Sequence, residues 1–107
     1  METEQVVVVL TTLPADADPG ELAAVLVGER LAACVNVMGA MQSVYRWRSE
    51  VEHAEERQLI IKTTAARVPA LEARLKELHR YDVPEFLILS VEGGSDAYLS
   101  WLRESCR

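Results

Sequence analysis

Two short runs of this chain are apolar at every position, Val6 to Leu10 and Phe86 to Leu89. A strand that is buried on both faces has this unbroken apolar pattern, and both runs are shorter than an ordinary helix. The chain is therefore expected to place two neighbouring core strands at the centre of its fold, one from near each end of the sequence.

Three helices are expected between and after these strands. Asp18 stands at an N-cap position ahead of Pro19 and Glu21, an arrangement that predicts a helix running to about Ala32. An apolar stripe at helical spacing indicates a second helix, and a capping serine indicates a short third one. The stripe consists of Val68, Leu71, Leu75 and Leu78, and the capping residue is Ser95.

A long hairpin is expected between the first two helices. Alternating apolar residues begin at Cys34 and resume after Gly39, which predicts a strand with a bulge near that glycine. The polar stretch Ser49 to Glu56 is expected to turn the chain, and Leu59 to Thr63 to return it as another strand. The hairpin from Met41 to Thr64 is expected to be too long to pair fully inside one subunit.

The order of elements is β-α-β-β-α-β with an added C-terminal helix, over a single domain of residues 1–107. This order predicts an α+β fold, the ferredoxin-like split-βαβ sandwich, with both main helices on one face of a four-stranded antiparallel sheet. Only the short last helix remains to cover the opposite face, although the strands are apolar on both faces. An uncovered apolar face of this size indicates that copies of the chain associate.

Charge and cysteine content narrow the classes of function. Eleven Lys and Arg residues face 17 Asp and Glu residues, a net charge of -6 without a basic run, so nucleic acid is not an expected partner. The acidic start, with Glu2 and Glu4 ahead of a short apolar run, predicts neither an export signal nor a membrane span. Cys34 and Cys106 are far apart and suit the reduced thiols of a cytoplasmic protein.

Five segments together resemble the CutA family of divalent-cation tolerance proteins, in the same order and over essentially the whole chain. The segments are Leu31 to Asn36, Tyr45 to Trp47, Ile61 to Thr63, Leu78 to Glu85, and Tyr98 to Leu102. The resemblance implies a ferredoxin-like homotrimer whose sheets meet edge to edge, with hairpins reaching across to neighbouring subunits. It also implies a link to copper tolerance in bacteria and, in animal relatives, to the anchoring of acetylcholinesterase.

The segment from His79 to Glu85 places an imidazole, a phenol and carboxylates in one loop next to a core strand. Loops on a rigid scaffold often carry binding residues, so His79 and Glu85 are candidate ligands for copper(II) or another divalent cation, with Cys34 as a soft third ligand. The alternative is that His79 only caps the helix end, Glu85 pairs across an interface and Cys34 is a small buried residue. Some similar sequences carry Cys in place of Thr11 and His in place of Leu78, so this chain retains only His79 of that proposed copper-ligand set.

A ligand cleft between subunits is expected from Tyr81, Glu56, Lys62 and Trp47. Glu56 matches a recurrent acidic position of the CutA family, whereas the neighbouring acidic residues are expected to form a solvated turn. The aromatic residues have an alternative role as packing or interface anchors.

Two functions follow as hypotheses. The first is a trimeric cytoplasmic metal-binding protein of the divalent-cation tolerance type. The second is a trimeric regulator or scaffold, similar in architecture to the nitrogen-regulatory PII proteins, that binds a small effector or partner protein in the cleft. The sequence contains no Gly-rich phosphate loop, no nucleophile motif and no paired-histidine metal motif, so an enzyme and an organic cofactor are not expected.

Overall fold

The structure is a computed structural model that describes residues 4–107. Met1 to Thr3, which contributed to the expectation about an export signal, lie outside the described residues. The main elements are β1 (Val6–Pro14), α1 (Pro19–Gly28), β2 (Cys34–Trp47), β3 (Glu50–Thr64), α2 (Val68–Leu78), β4 (Leu87–Ser90) and α3 (Asp96–Ser105). This order confirms the predicted β-α-β-β-α-β arrangement with an added helix. No helix in residues 4–107 is long and apolar enough to cross a bilayer.

The four strands form one antiparallel sheet in the order β2-β3-β1-β4. Strand β4 lies beside β1 as predicted, but the prediction that it is a central strand is wrong, because β4 forms an edge of the sheet and its residues are exposed. One face of the sheet packs against both main helices. Its core joins Val9 of β1 and Ile61 of β3 to Leu26 of α1 and to Leu71 and Leu75 of α2. The predicted α+β sandwich, with α1 and α2 on the same side of the sheet, is confirmed.

The opposite side of the sheet, here called the open face, carries the alternate residues of the same strands. From the strand register it consists of Val8, Leu10, Thr12, Glu56, Gln58, Ile60, Lys62, Leu87 and Leu89. Leu87 is 53% exposed and Leu89 49% exposed in the single chain. Burial of the core strands on both faces is therefore not achieved within one chain, because no second layer covers the centre of the open face.

The last helix covers one end of the sheet. Ser95 caps it as predicted, since its hydroxyl accepts a hydrogen bond from the Tyr98 N–H at 3.2 Å. Leu102 and Cys106 pack with Val6 in a second small core. Most of the open face lies beyond the reach of this helix.

Two predictions about the hairpin are wrong. The chain turns at Arg48 and Ser49 alone, with φ angles of 50° and 69°, and the polar residues after Ser49 belong to β3. The arms β2 and β3 pair with each other from Cys34 opposite Lys62 to Trp47 opposite Glu50, so the long hairpin is fully paired inside one subunit. Polar residues are tolerated in β3 because the outer part of the hairpin is exposed on both faces. The predicted bulge is confirmed, between Val37 and Ala40.

Helix α1 is shorter than predicted. It ends at Gly28, because Arg30 adopts a left-handed conformation with a φ of 61° and the Leu31 N–H bonds back to the Leu26 carbonyl at 3.0 Å. The apolar residues that suggested a longer helix, Leu31 and Ala32, are instead buried under the helix in the turn to β2. Strand β4 begins at Leu87, one residue later than predicted, because Phe86 packs against the helix-side core.

Candidate functional site

A cleft of about 690 Å³ opens on the sheet side opposite the helices, where the hairpin leaves the sheet. The strands contribute Thr12, Met41, Ser43, Tyr45, Trp47, Glu56 and Gln58, and the loop after α2 contributes Arg80 to Glu85. The bulge in β2 determines which β2 side chains face the cleft. It shifts the alternation by one residue, so that Tyr45 and Trp47 share a face with Glu56 of β3.

His79 fastens the loop to the sheet. It caps α2, with its N–H bonded to the Leu75 carbonyl at 2.8 Å. Its ring Nε2 lies 2.6 Å from the Thr12 carbonyl oxygen, and its Nδ1 accepts a hydrogen bond from the Tyr81 N–H at 3.1 Å. A carbonyl oxygen can only accept, so Nε2 carries the ring proton and both nitrogens are engaged. In this arrangement His79 offers no free lone pair and acts as a support for the loop.

Glu56 and Tyr81 form a hydrogen-bonded pair in the wall of the cleft. The Tyr81 hydroxyl donates to Oε2 of Glu56 at 2.8 Å, and Glu56 is only 6% exposed. Burial, followed by the hydrogen bond to Glu56 and its negative charge, raises the pKa of Tyr81 well above its usual value. Tyr81 is therefore a neutral donor, and Glu56 is the charged acceptor.

Glu85 is fixed by a second polar contact. The Gln58 side-chain nitrogen donates to Oε2 of Glu85 at 2.8 Å and to the Thr11 carbonyl at 2.7 Å. Sequence reasoning missed Gln58, although its position two residues after Glu56 on one strand places both side chains on the same face. Gln58 thereby links the loop carboxylate to β1 and β3.

The charge of the two carboxylates is not balanced within residues 4–107. Glu56 and Glu85 each use Oε2 in a hydrogen bond, and neither Oε1 has a protein donor in this range. Neither carboxylate forms a salt bridge with a described basic residue, and the nearby Arg80 pairs with Asp16 at 3.2 Å instead. Glu56 is buried whereas Glu85 is only partly buried. Buried charges are normally paired or bound to a cation, so the position of Glu56 favours a cationic ligand.

The predicted site residues fall into two places. Glu56, Tyr81, Trp47 and Glu85 line the cleft together, and His79 supports it from behind. Cys34 and Lys62 are cross-strand partners at the other end of the hairpin, about 20 Å along β3 from Glu56 at the usual strand rise. Within residues 4–107 no three Cys, His, Asp or Glu side chains converge in a way that could hold a metal ion. A ligand role for Cys34 and Lys62 stays a prediction.

Thr11 lines a smaller cavity of about 390 Å³ between α2 and the loop. In residues 4–107 its hydroxyl is the one buried side-chain polar atom without a hydrogen-bond partner. Replacement of Thr11 by Val should raise the free energy of unfolding by about 1 kcal/mol, because an unpaired hydroxyl is removed with little change of shape. Urea denaturation measures this change.

Thr63→Val is the matched control for Thr11→Val. The Thr63 hydroxyl is equally buried but donates to the Leu31 carbonyl at 2.7 Å. Its removal is expected to lower the free energy of unfolding by about 1 kcal/mol. A loss of stability in both variants would show that the Thr11 hydroxyl is satisfied in solution.

Comparison with known proteins gives a consistent result. The family model described as "CutA1 divalent ion tolerance protein" matches residues 7–105. The divalent-cation tolerance protein CutA of Thermus thermophilus is 46% identical over 98 residues, which cover 92% of this chain and 95% of that protein. The chloroplastic protein CutA of Arabidopsis thaliana is 43% identical over 101 residues, which cover 94% of this chain but 56% of the longer plant protein.

A solved structure agrees with the sequence comparison. The crystal structure of CutA1 from Oryza sativa superimposes with a TM-score of 0.92 at 41% identity, covering 96% of this chain and 94% of that one. This similarity extends over the sheet, the helices and the hairpin. The sequence resemblance stated above is thus confirmed.

Proposed function

This chain belongs to the CutA1 divalent ion tolerance family, and we propose that it serves cation tolerance by binding divalent cations directly, as a cytoplasmic homotrimer without enzymatic activity. The family model and the relatives support the link to divalent cations. The cytoplasmic location is supported by the two cysteines, which are both free thiols and suit a reducing compartment.

One observation carries the proposal. Glu56 is a carboxylate that is 6% exposed, faces the cleft, and has no described basic residue as a partner. Its Oε1 and the Oε1 of Glu85 are the unengaged oxygens of two carboxylates that are otherwise held in place by Tyr81 and Gln58. Fixed carboxylates of this kind bind a divalent cation without first having to be ordered.

The type of ligand atom influences which cation binds. Carboxylate oxygens suit Mn²⁺ and similar hard cations, while copper(II) binds most ligand sets tightly regardless of preference. Two carboxylates do not complete a coordination shell, so water or a neighbouring subunit has to supply the remaining ligands. The predicted role of His79 as a direct ligand would require its ring to release Thr12 or Tyr81, and we therefore propose Glu56 and Glu85 as the primary ligands.

The homotrimer is supported by the exposed apolar side chains of the open face and by β2. Strand β2 is an edge strand of 14 residues, and a long unpaired edge is a template for pairing with another chain. Leu87 and Leu89 expose about half of their surfaces. Association that covers the apolar part of this face, formed by Val8, Leu10, Leu87 and Leu89, would bury both apolar strand runs. The comparisons with known proteins favour a role in divalent-cation tolerance over the alternative role as a PII-like regulator or scaffold.

A competition titration tests the proposed function. Chelator-treated protein is titrated with Mn²⁺, and separately with copper(II), against a metal indicator of known affinity. Saturable binding at a fixed ratio per subunit, tighter than the binding of free carboxylates, supports direct cation binding. Binding of both metals no tighter than that of an unrelated acidic protein of equal charge would contradict it.

A further inference from the structure

The cleft contains aromatic side chains that a metal site does not need. Its wall includes the rings of Tyr45, Trp47 and Tyr81 beside the two carboxylates. Tyr45 and Trp47 are 44% and 40% exposed in the single chain, and the Arg48 guanidinium lies 5.5 Å from the centre of the Trp47 ring. Aromatic faces contribute little to the binding of a hydrated metal ion. They attract organic ammonium ions and pack well against aliphatic chains.

Gln58 connects the two carboxylates of the cleft, one from β3 and one from the loop before β4. Glu56 and Gln58 are two residues apart on one face of β3, which separates their side chains by about 7 Å. Glu85 is held at the amide end of Gln58. A carbon chain of four or five atoms with an amino group at each end has a length of the same order.

The hydrogen bonds of the two carboxylates also suit a ligand with two ammonium groups. Each carboxylate has one oxygen already engaged and one without a protein donor. A primary ammonium group donates hydrogen bonds and carries the charge that balances a carboxylate. From the aromatic wall, the spacing and the unengaged oxygens, we infer that the cleft binds a linear aliphatic diamine, with one ammonium group on Glu56 and the other on Glu85. The inference concerns the cleft proposed for metal binding but requires no metal.

Isothermal titration calorimetry on the chelator-treated protein, in its native oligomeric state, tests this inference with 1,4-diaminobutane and 1,5-diaminopentane as probes. We expect one diamine per subunit with a dissociation constant below about 1 mM. Butane-1,4-diol, which has a similar chain and no charge, should give no binding. 1-Aminobutane, which lacks the second ammonium group, should bind about tenfold more weakly.

Substitutions of the cleft residues test where the diamine binds. Glu56→Gln and Glu85→Gln should each weaken diamine binding by about tenfold or more, and Trp47→Leu should weaken it as well. Glu92→Gln removes the same charge from an exposed residue that does not line the cleft, and should leave the affinity unchanged. Circular dichroism and sedimentation on each variant show whether fold and assembly are retained.

The results separate this inference from the proposed function. No diamine binding up to about 10 mM, equal binding of the diol, or an unchanged affinity in Glu56→Gln overturns the inference, and metal binding is then judged by its own titration. Diamine binding that is lost in Glu56→Gln, in a protein that fails to bind Mn²⁺ and copper(II), would support the inference and contradict the proposed metal binding.

Discussion

A Glu56→Gln variant is expected to bind Mn²⁺ about 100-fold more weakly than the native protein, equivalent to about 2.7 kcal/mol. The substitution keeps the size of the side chain and an oxygen that can still accept from the Tyr81 hydroxyl. What it removes is the charge of one of the three acidic residues that line the cleft, Glu56, Asp82 and Glu85. A single charge at contact distance contributes several kcal/mol where solvent is partly excluded.

The control for this prediction is Glu92→Gln, which makes the same change of charge at an exposed residue outside the cleft. Competition titration of both variants and of the native protein gives the comparison. Equal Mn²⁺ affinity in the native protein and in Glu56→Gln would mean that Glu56 is not a ligand. A parallel loss in both variants would mean that the effect is one of net charge.

A Leu89→Lys variant is expected to disrupt the proposed homotrimer. Leu89 lies on the open face next to Val8, and its side chain is 49% exposed in the single chain. If subunits associate through this face, the new ammonium group is buried in the interface without a partner, at a cost of about 3–5 kcal/mol. Sedimentation equilibrium over a range of protein concentrations should show dissociation at concentrations where the native protein remains assembled.

Val27→Lys provides the matched control for the assembly prediction. Val27 is 41% exposed but belongs to α1, on the other side of the sheet. It should leave the oligomeric state unchanged. A native protein that sediments as a monomer, or a Leu89→Lys variant as fully assembled as Val27→Lys, would contradict the proposed homotrimer. Because the subunits would share sheet edges, we also expect dissociation to coincide with unfolding.

Local sequence signals predict much of the fold. The N-caps at Asp18 and Ser95 form as expected, because capping depends only on residues within the next turn. The bulge near Gly39 is likewise visible in the sequence as a break in the alternation. Only the element order and the hydrophobic pattern were needed to predict the ferredoxin-like sandwich.

The hairpin turn and the end of α1 could not be located in this way. Arg48, Ser49 and Arg30 adopt positive φ angles, a conformation for which Gly or Asn would have been the signal. Leu31 and Ala32 continue an apolar pattern that suits a helix, but they are buried by the chain as it turns under α1. Tertiary packing overrides local preference at both places.

The cleft was predicted in part. Glu56, Tyr81, Trp47 and Glu85 were recognised and do line one cleft. The strand register, which separates Cys34 and Lys62 from these residues, could not be read from their spacing in the sequence. The role of His79 depends on the Thr12 carbonyl, 67 residues earlier in the chain. Such a long-range contact leaves no local signal, and it distinguishes a structural histidine from a free ligand.

The central claim is that a divalent cation binds to Glu56 and Glu85. The most direct test is anomalous X-ray diffraction from crystals of the native protein soaked in Mn²⁺. We expect an anomalous peak in the cleft of each subunit, within coordination distance of a carboxylate oxygen of Glu56 or of Glu85. A peak at His79 or Cys34 with none at these carboxylates, or no ordered Mn²⁺ in the cleft at saturating concentration, would contradict it.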